Sequence, residues 1–420
     1  MKKQRIIAYI ATVPKSASQS IRTYGARGGE KFKIMRISDV RSRLEKKSGG
    51  VDIDVRVDFS KPSSISEALL PYQDALAAIT CRSESDMMRF AAVIPHVPYL
   101  RTPTTESILW STDKYEMRRR FKLYDAKRTP KFALIKENSK KERARIAERV
   151  GFPLVLKPAN LAQSLLVNIC YHEEELEKAL RSTFRKIRSA YGESGRMETP
   201  KIMAEEYMEG DLYSVDAYVN SRGSVYFCPM VRVITGRNIG HDDFYLYLQT
   251  TPTALKKKTI ESAHSTAEHG IHALGLRNTT AHVELMRVDD DWKLVEIGPR
   301  VGGFRPKLHE LSCDIDHALN DVLIRLPKKP IIPKKCKGFA TVMRWYPKKE
   351  GVITKLKGIK KIQDLKSFVE ISVNKKVGDR CRFAKNGGKA VFLVTLYNSE
   401  RAKLLADIRR VEQFVDIQIK

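Results

Sequence analysis

The chain has 420 residues, enough for two or three domains with cores of their own, and its 42% hydrophobic and 30% charged content is ordinary for a globular protein. No apolar run approaches the roughly 18 residues of a membrane-spanning helix, and six cysteines at 81, 170, 228, 313, 336 and 381, with no C-x-x-C pair, suggest neither a zinc site nor a disulfide framework. Reduced thiols of a cytoplasmic protein are the expectation. Half of the net charge of +28 falls in residues 331–420, where 22 Lys and Arg face 8 Asp and Glu. Such a patch could meet nucleic acid, an anionic membrane or an acidic substrate. The lysines are interleaved with strand-like apolar residues and no nucleic-acid module is recognisable, which favours a solvated basic surface.

In chain order, the start MKKQRIIAYIATVPKSASQS imitates a signal peptide, but its apolar run is only about eight residues long and ends at Pro14 and Lys15, so a first strand is expected. Residues 1–110 alternate short apolar runs (IIAYIA, VDIDVRV, ALAAIT) with helical patterns, the texture of an α/β domain with a largely parallel sheet. GARGG at 25–29 is not a G-x-G-x-x-G fingerprint and reads as a loop. A basic helix (STDKYEMRRRF) follows, then the strands KFALIK and FPLVLKPA, and a helix near 172–191 with Leu176, Leu180, Phe184 and Ile187 at helical spacing. Residues 201–326 carry the strands KIMAEEYM, YSVDAYV and SVYFCPMVRVI, a helix near 256–275, a hairpin and a helix around 315–325. The proline- and lysine-rich LPKKPIIPKKCKG reads as a linker, and 338–420 as a small α+β domain of hairpins with a terminal helix opened by Asn398 or Ser399.

The most informative segment is the hairpin AHVELMRVDDDWKLVEIGPRVGG. A three-residue turn centred on Asp290 would set Val288 against Trp292, Met286 against Leu294 and Glu284 directly opposite Glu296. Like charges in that position destabilise a sheet, and a hard divalent cation would resolve the conflict. The plain alternative is two solvated glutamates, or a register in which they do not meet. Upstream, Lys157 ends a buried-looking strand where an ammonium can enter a cleft, although a surface lysine is the commoner case. IMAEEYMEGD is an apolar strand running into Glu205, Glu206, Tyr207 and Met208; its backbone could read an adenine edge, or the segment could simply be an amphipathic strand before a turn.

These motifs, in this order, resemble the ATP-grasp superfamily, in particular its carboxylate–amine ligase branch, which includes L-amino-acid ligases and shares its architecture with biotin carboxylase. The resemblance covers nearly the whole chain. It implies an N-terminal parallel α/β (pre-ATP-grasp) domain over 1–113, a two-part ATP-grasp domain over 114–326, a linker over 327–337 and a basic C-terminal α+β domain over 338–420. It makes Lys114, in D-K-x-x-M-R, and Lys157 phosphate-binding residues, and puts Glu205, Glu206, Tyr207 and Met208 around the adenine, the last two by main chain. Glu284 and Glu296 become ligands for Mg²⁺, with Mn²⁺ as a substitute. Arg300 falls beside the transferred phosphate as the catalytic residue, with Gly302 and Gly303 letting backbone N–H groups approach substrate and Arg237, beside Arg232, helping to hold an anionic one. His241 and His309 are read as structural or exposed.

Three departures from the family pattern stand out. The loop after the strand lysine is KPANLAQSLLV, without glycine, so Asn160, Gln163 and Ser164 would supply its contacts. Gly298 replaces the asparagine common in E-x-N-x-R, removing one oxygen ligand. Asp211 stands where many relatives place a ribose glutamate. The implied activity is ATP-dependent ligation of a small carboxylate, such as an amino acid, to an amine through an acyl phosphate, in the cytoplasm, with a homodimer as the candidate assembly. The alternatives are an ATP-binding scaffold or sensor without turnover, and a ligase acting on a protein- or nucleic-acid-bound acceptor through the basic C-terminal region.

Overall fold

The apolar runs near the N-terminus become strands of a parallel four-stranded sheet in a computed structural model that describes residues 4–14, 16–42, 50–161, 164–194 and 198–420. Gln4–Ile10 lies between Lys31–Asp39 and Leu76–Cys81, with Ile53–Val57 outermost. Lys31–Asp39 was not among the expected strands: its basic residues interrupt the apolar run. GARGG is not all loop, since the helix Ala17–Arg27 runs through its first three residues before Gly28 and Gly29 end it. Ile7, Tyr9 and Ile34, on one face of this sheet, share a core with Ala318, Val322 and Leu326 from and beside the helix His317–Leu323.

Asp113 splits the expected basic helix into Thr105–Thr112 and Lys114–Tyr124, because its carboxylate caps the second helix by accepting from Tyr115 and Glu116 N–H. The next lobe is an antiparallel four-stranded sheet in the order Phe132–Ile135, Ile202–Glu206, Leu154–Pro158, Asn168–Cys170. The helix Glu173–Glu193 covers it with Leu176, Leu180, Thr183, Ile187 and Ala190. That stripe advances by alternating steps of four and three, which leaves Phe184 exposed where burial was expected.

A nine-stranded sheet forms the second half. Asp291–Gly298 is its edge, followed by Thr279–Val288, Asp211–Val219, Val231–Thr235 and Leu246–Thr251. The sheet then continues without a break into Phe339–Trp345, Phe392–Asn398 and Phe368–Val373. SVYFCPMVRVI is two strands, Val225–Phe227 and Val231–Thr235. The last helix, Arg401–Phe414, is followed by the strand Asp416–Ile419, so a strand and not a helix ends the chain. Its cap residue is Glu400, whose N–H donates to Asn398 Oδ1.

The cysteines depart from expectation. Cys313 and Cys336 form a disulfide across 23 residues, while Cys81, Cys170, Cys228 and Cys381 are free and buried. The linker folds back to make this contact. Asn320 bonds both backbone groups of Ile331, and Lys337 N–H donates to Ser312 O at 2.7 Å. No sequence spacing announces such a return. Among the described residues no helix is long and apolar enough to cross a membrane.

Candidate nucleotide and metal site

The glutamate hairpin has the expected pairing but reaches it differently. Its turn is two residues, Asp289 and Asp290, both at positive φ (46° and 66°), and Val288 pairs with Asp291, Met286 with Lys293. Two consecutive left-handed residues suit the twist of a hairpin, and aspartate tolerates that region better than most side chains. A bulge then absorbs Val295, so Leu285 pairs with Leu294 while Glu284 still pairs with Glu296. The bulge has a use: the Val295 carbonyl, out of the ladder, accepts from Arg118 Nη2 at 2.7 Å.

Arg118 connects this hairpin to the other lobe. Its Nε and Nη2 grip the two oxygens of Glu205 at 2.8 and 3.1 Å, and Lys157 Nζ reaches Glu205 Oε2 at 2.6 Å. Glu205 is 3% exposed and Arg118 1%. Burial alone would raise the Glu205 carboxyl; the two cations outweigh it and hold it at about 2. Burial pulls the Lys157 ammonium below its usual range, with Glu205 opposing. Both Glu205 oxygens are therefore engaged by protein cations. The DKYEMR motif contained Arg118, but only its lysine had been singled out.

Lys114 lies at the start of its helix and donates from Nζ to Leu161 O at 2.8 Å, 3.2 Å from Glu296 Oε1. On the other strand His282 Nε2 lies 3.5 Å from Glu284 Oε1, while its Nδ1 is 3.2 Å from Asp216 Oδ2. Burial would lower the His282 pKa, but Asp216 and Glu284 raise it. The Glu284 carboxyl is held down, against burial, by His282, Arg305 and Lys114. Each carboxylate thus has a cationic neighbour, yet both side chains remain about a third open to solvent, at 27% and 32%.

Beyond the second glutamate, Arg300 Nε donates to Glu84 Oε2 at 2.7 Å, which ties the loop to the N-terminal domain, and Nη1 donates to Val301 O. Gly302 N–H donates to Asp216 Oδ1 at 2.7 Å. A Cβ on Gly302 would fall 2.5 Å from His282 Nδ1, so only glycine lets the loop approach, whereas a Cβ on Gly303 would meet nothing within 4 Å. Arg305 is buried beneath, donating to Gln249 and to Ser214 Oγ, with Nε 3.7 Å from Asp216. Asp216, His282, Arg305 and Glu84 were not singled out from the sequence; His282 was visible in HVEL, whereas Asp216 and Glu84 carried no motif.

The remaining expected site residues spread outward. Glu206 is exposed and accepts Lys131 N–H at 3.1 Å; Tyr207 N–H donates to Pro153 O at 3.1 Å; Met208 is partly buried in the turn that follows. Asp211 pairs with Arg232 at 3.3 Å. Arg237 contacts Asp242, Tyr171 and the Phe244 ring, none of them part of the glutamate pair. After Lys157, Asn160 turns its amide inward to Thr112 O and Tyr191, and Gln163 lies outside the described residues. Ser164 sits at φ 60° with Oγ 3.5 Å from Phe244 O, and Leu166 N–H reaches Lys385 O at 3.3 Å, so this loop docks on the C-terminal region. His241 bonds Tyr245, and His309 is fully buried away from solvent.

Residues 150–306 match the family model of the ATP-grasp domain. This segment of the chain is therefore similar to the ATP-grasp domain. Solved structures with the ATP-grasp fold superpose over nearly the whole chain. The L-amino acid ligase of Bacillus licheniformis does so with a TM-score of 0.75 at 16% identity, covering 100% of both chains. N5-carboxyaminoimidazole synthetase of Staphylococcus aureus, complexed with ADP, gives 0.67 at 13% identity, covering 98% of each. The biotin carboxylase domain dimer of Hydrogenobacter thermophilus 2-oxoglutarate carboxylase, complexed with MgADP and bicarbonate, gives 0.67 at 15%, covering 100% of this chain and 92% of that one. At these identities the likeness is one of fold. By sequence, the uncharacterized protein y4rH of Sinorhizobium fredii is 21% identical over 230 residues, which are 54% of this chain and 45% of that protein. The chain therefore spans about half the length of this curated relative.

Proposed function

We propose that this protein is an ATP-grasp ligase that joins a small carboxylate, such as an amino acid, to an amine, releasing ADP and phosphate from ATP. The observation that carries this reading is Glu284 paired in register with Glu296, with Lys114 beside the second and Arg300 four residues beyond it. Two partly open carboxylates side by side, each with a cation on one flank, fit a divalent ion with oxygen preference, Mg²⁺ or Mn²⁺. Bound there, the ion would neutralise phosphate charge as phosphoryl transfer proceeds. Gly298 brings no side-chain oxygen, which supports one metal ion over two. Space does not require that glycine, since a Cβ would sit at ordinary contact distance, 3.6 Å from Glu84 Oε2.

The protein's own groups position charge. Lys157, desolvated and fixed by Glu205, presents its ammonium to ATP phosphate, and Lys114 does so from the hairpin side. The hinge 205–208 and Asp211 flank the nucleoside, and Ser164 belongs to the loop over the phosphates. The substrate carboxylate attacks the γ-phosphate to give an acyl phosphate and ADP; the amine then attacks that carbonyl, forming the amide and expelling phosphate. No protein nucleophile is needed. Arg300, oriented by Glu84, and the Gly303 N–H stabilise the transferred group and the oxyanion, while the Gly302 N–H is held by Asp216 and fixes the loop instead. We place the protein in the cytoplasm, where ATP is available, and expect it to pair with a second copy.

The test is ADP release from the purified protein with ATP and Mg²⁺ over a matrix of amino acids offered as carboxylate and amine. Release that requires a particular pair supports the ligase. ATP binding without release for any pair supports a scaffold, and release only with RNA or protein acceptors supports the macromolecular alternative.

A further inference from the structure

Two residues beyond Asp216 on the same face of its strand, Tyr218 begins a buried polar chain that the proposed ligase chemistry does not use. Its hydroxyl lies 2.7 Å from His317 Nδ1, His317 Nε2 lies 2.8 Å from His309 Nδ1, and His309 Nε2 lies 3.0 Å from Pro229 O. Cys228 adjoins the chain, its Sγ within 4.8 Å of a ring nitrogen of each histidine and within hydrogen-bonding reach of the Tyr218 hydroxyl. His309, His317 and Cys228 are 0%, 1% and 2% exposed.

The proton positions follow from one fixed point. A carbonyl only accepts, so His309 Nε2 carries its proton and Nδ1 is bare. His317 Nε2 must then donate to it, and Tyr218 O–H donates to His317 Nδ1. Burial keeps both imidazoles neutral, against the charge of Asp216. A single proton therefore lies between two imidazole nitrogens with a thiol beside them.

We propose that this is a metal site, a cation of zinc type held by His309 Nδ1, His317 Nε2 and Cys228 Sγ. A nitrogen and sulfur donor set selects such an ion over Mg²⁺. The proton balance closes. His317 moves its proton to Nδ1 and donates it to Tyr218; the Tyr218 hydroxyl turns to donate to Cys228; the thiol proton leaves to solvent, so one proton is released per ion bound. Pro229 O and Tyr218 then orient the two imidazoles from outside the ligand set. The facing nitrogens would part from 2.8 Å to roughly 3.3 Å, the separation of two ligands about 2.0–2.1 Å from a tetrahedral ion. His309 is on the helix Arg305–Cys313 and His317 opens the next one, so the ion would brace the pair of helices that follow the Arg300 loop.

Cobalt(II) tests the assignment on the full chain, stripped with chelator and kept in excess Mg²⁺ to occupy the glutamate pair. One equivalent should give a sulfur-to-cobalt charge-transfer band with four-coordinate visible bands. Cys313 and Cys336 are bonded to each other, so the thiolate must be Cys228 or one of three distant buried cysteines. Cys228→Ser should abolish the charge-transfer band while keeping the metal-free melting temperature, Tyr218→Phe should weaken cobalt binding by roughly 10–100-fold, and Glu284→Gln should leave the band unchanged. No thiolate band at one equivalent, or a band that survives Cys228→Ser, would overturn the proposal and leave the cluster a hydrogen-bonded chain.

Discussion

Two groups of charge on either side of the proposed nucleotide site solve opposite problems. Arg118, Glu205 and Lys157 form a closed set around the carboxylate, both of whose oxygens are taken by cations, with Glu205 and Arg118 buried and Lys157 12% exposed. Glu284 and Glu296 form an open set, two like charges paired across a hairpin with His282 and Lys114 only at the sides. The first holds two lobes in place and positions a lysine. The second is where we propose that a cation binds. A completed ion network is costly to break, whereas an unfinished one is costly to keep and is the better indicator of a ligand.

The largest effect should separate the two sets by activity. Glu284→Gln or Glu296→Gln should abolish metal-dependent turnover, and melting in the absence of Mg²⁺ should change little, because relief of like-charge repulsion offsets the lost contact with His282 or Lys114. Activity unchanged in both variants would remove the metal assignment. Next, Glu205→Ala should lower stability by about 3–5 kcal/mol, since two buried cations lose their partner. Urea denaturation measures it, and a loss below about 1 kcal/mol would mean that solvent reaches the set.

The comparison also explains what could be read in advance. The paired glutamates were legible because alternation and a polar turn fix register to within a residue or two. The bulge at Val295 was not, and it compensated for a misjudged turn length: a two-residue turn without the bulge would have set the glutamates out of register. Lys157 was legible as a strand end, but Arg118, which shares Glu205 with it, lies 39 positions earlier, and nothing local in its motif announces that contact. Glu84 and Asp216 act through folding that brings the N-terminal region and the nine-stranded sheet to one loop, and the Cys313–Cys336 bond depends on a linker pinned by Asn320. Local chemistry was readable; contacts that need the assembled fold were not.

Arg300 tests the open set from its rim. Arg300→Ala should reduce kcat by roughly 10²–10³ with little change in ATP affinity, because its contact belongs to the reacting complex. Melting should fall by only a small amount from the lost Glu84 pair, which is partly exposed. Arg300→Lys should restore part of the rate, having the charge without the fork. A large loss of melting temperature with the rate preserved would make Arg300 a domain tether and not a catalytic group.

Acid titration reads the closed set when a Glu205 variant is compared with wild type. The Glu205 carboxyl is depressed from 4.5 to about 2 in the folded state. A depressed carboxyl stabilises the fold above its unfolded pKa, and that contribution is lost as pH falls through the folded value. The window therefore runs from about 4.5 down to about 2, and the contribution is on the order of 3 kcal/mol. Glu142 and Asp58 are depressed to about 2 as well, by Arg145 and by Ser60 with Arg41, so wild-type acid unfolding mixes their contributions with that of Glu205. Glu205→Gln isolates it: the variant is less stable at pH 7, and its stability curve converges on that of wild type as pH falls through the window. Curves that stay parallel from pH 5 to pH 2 would show that Glu205 titrates normally and that the set is not closed.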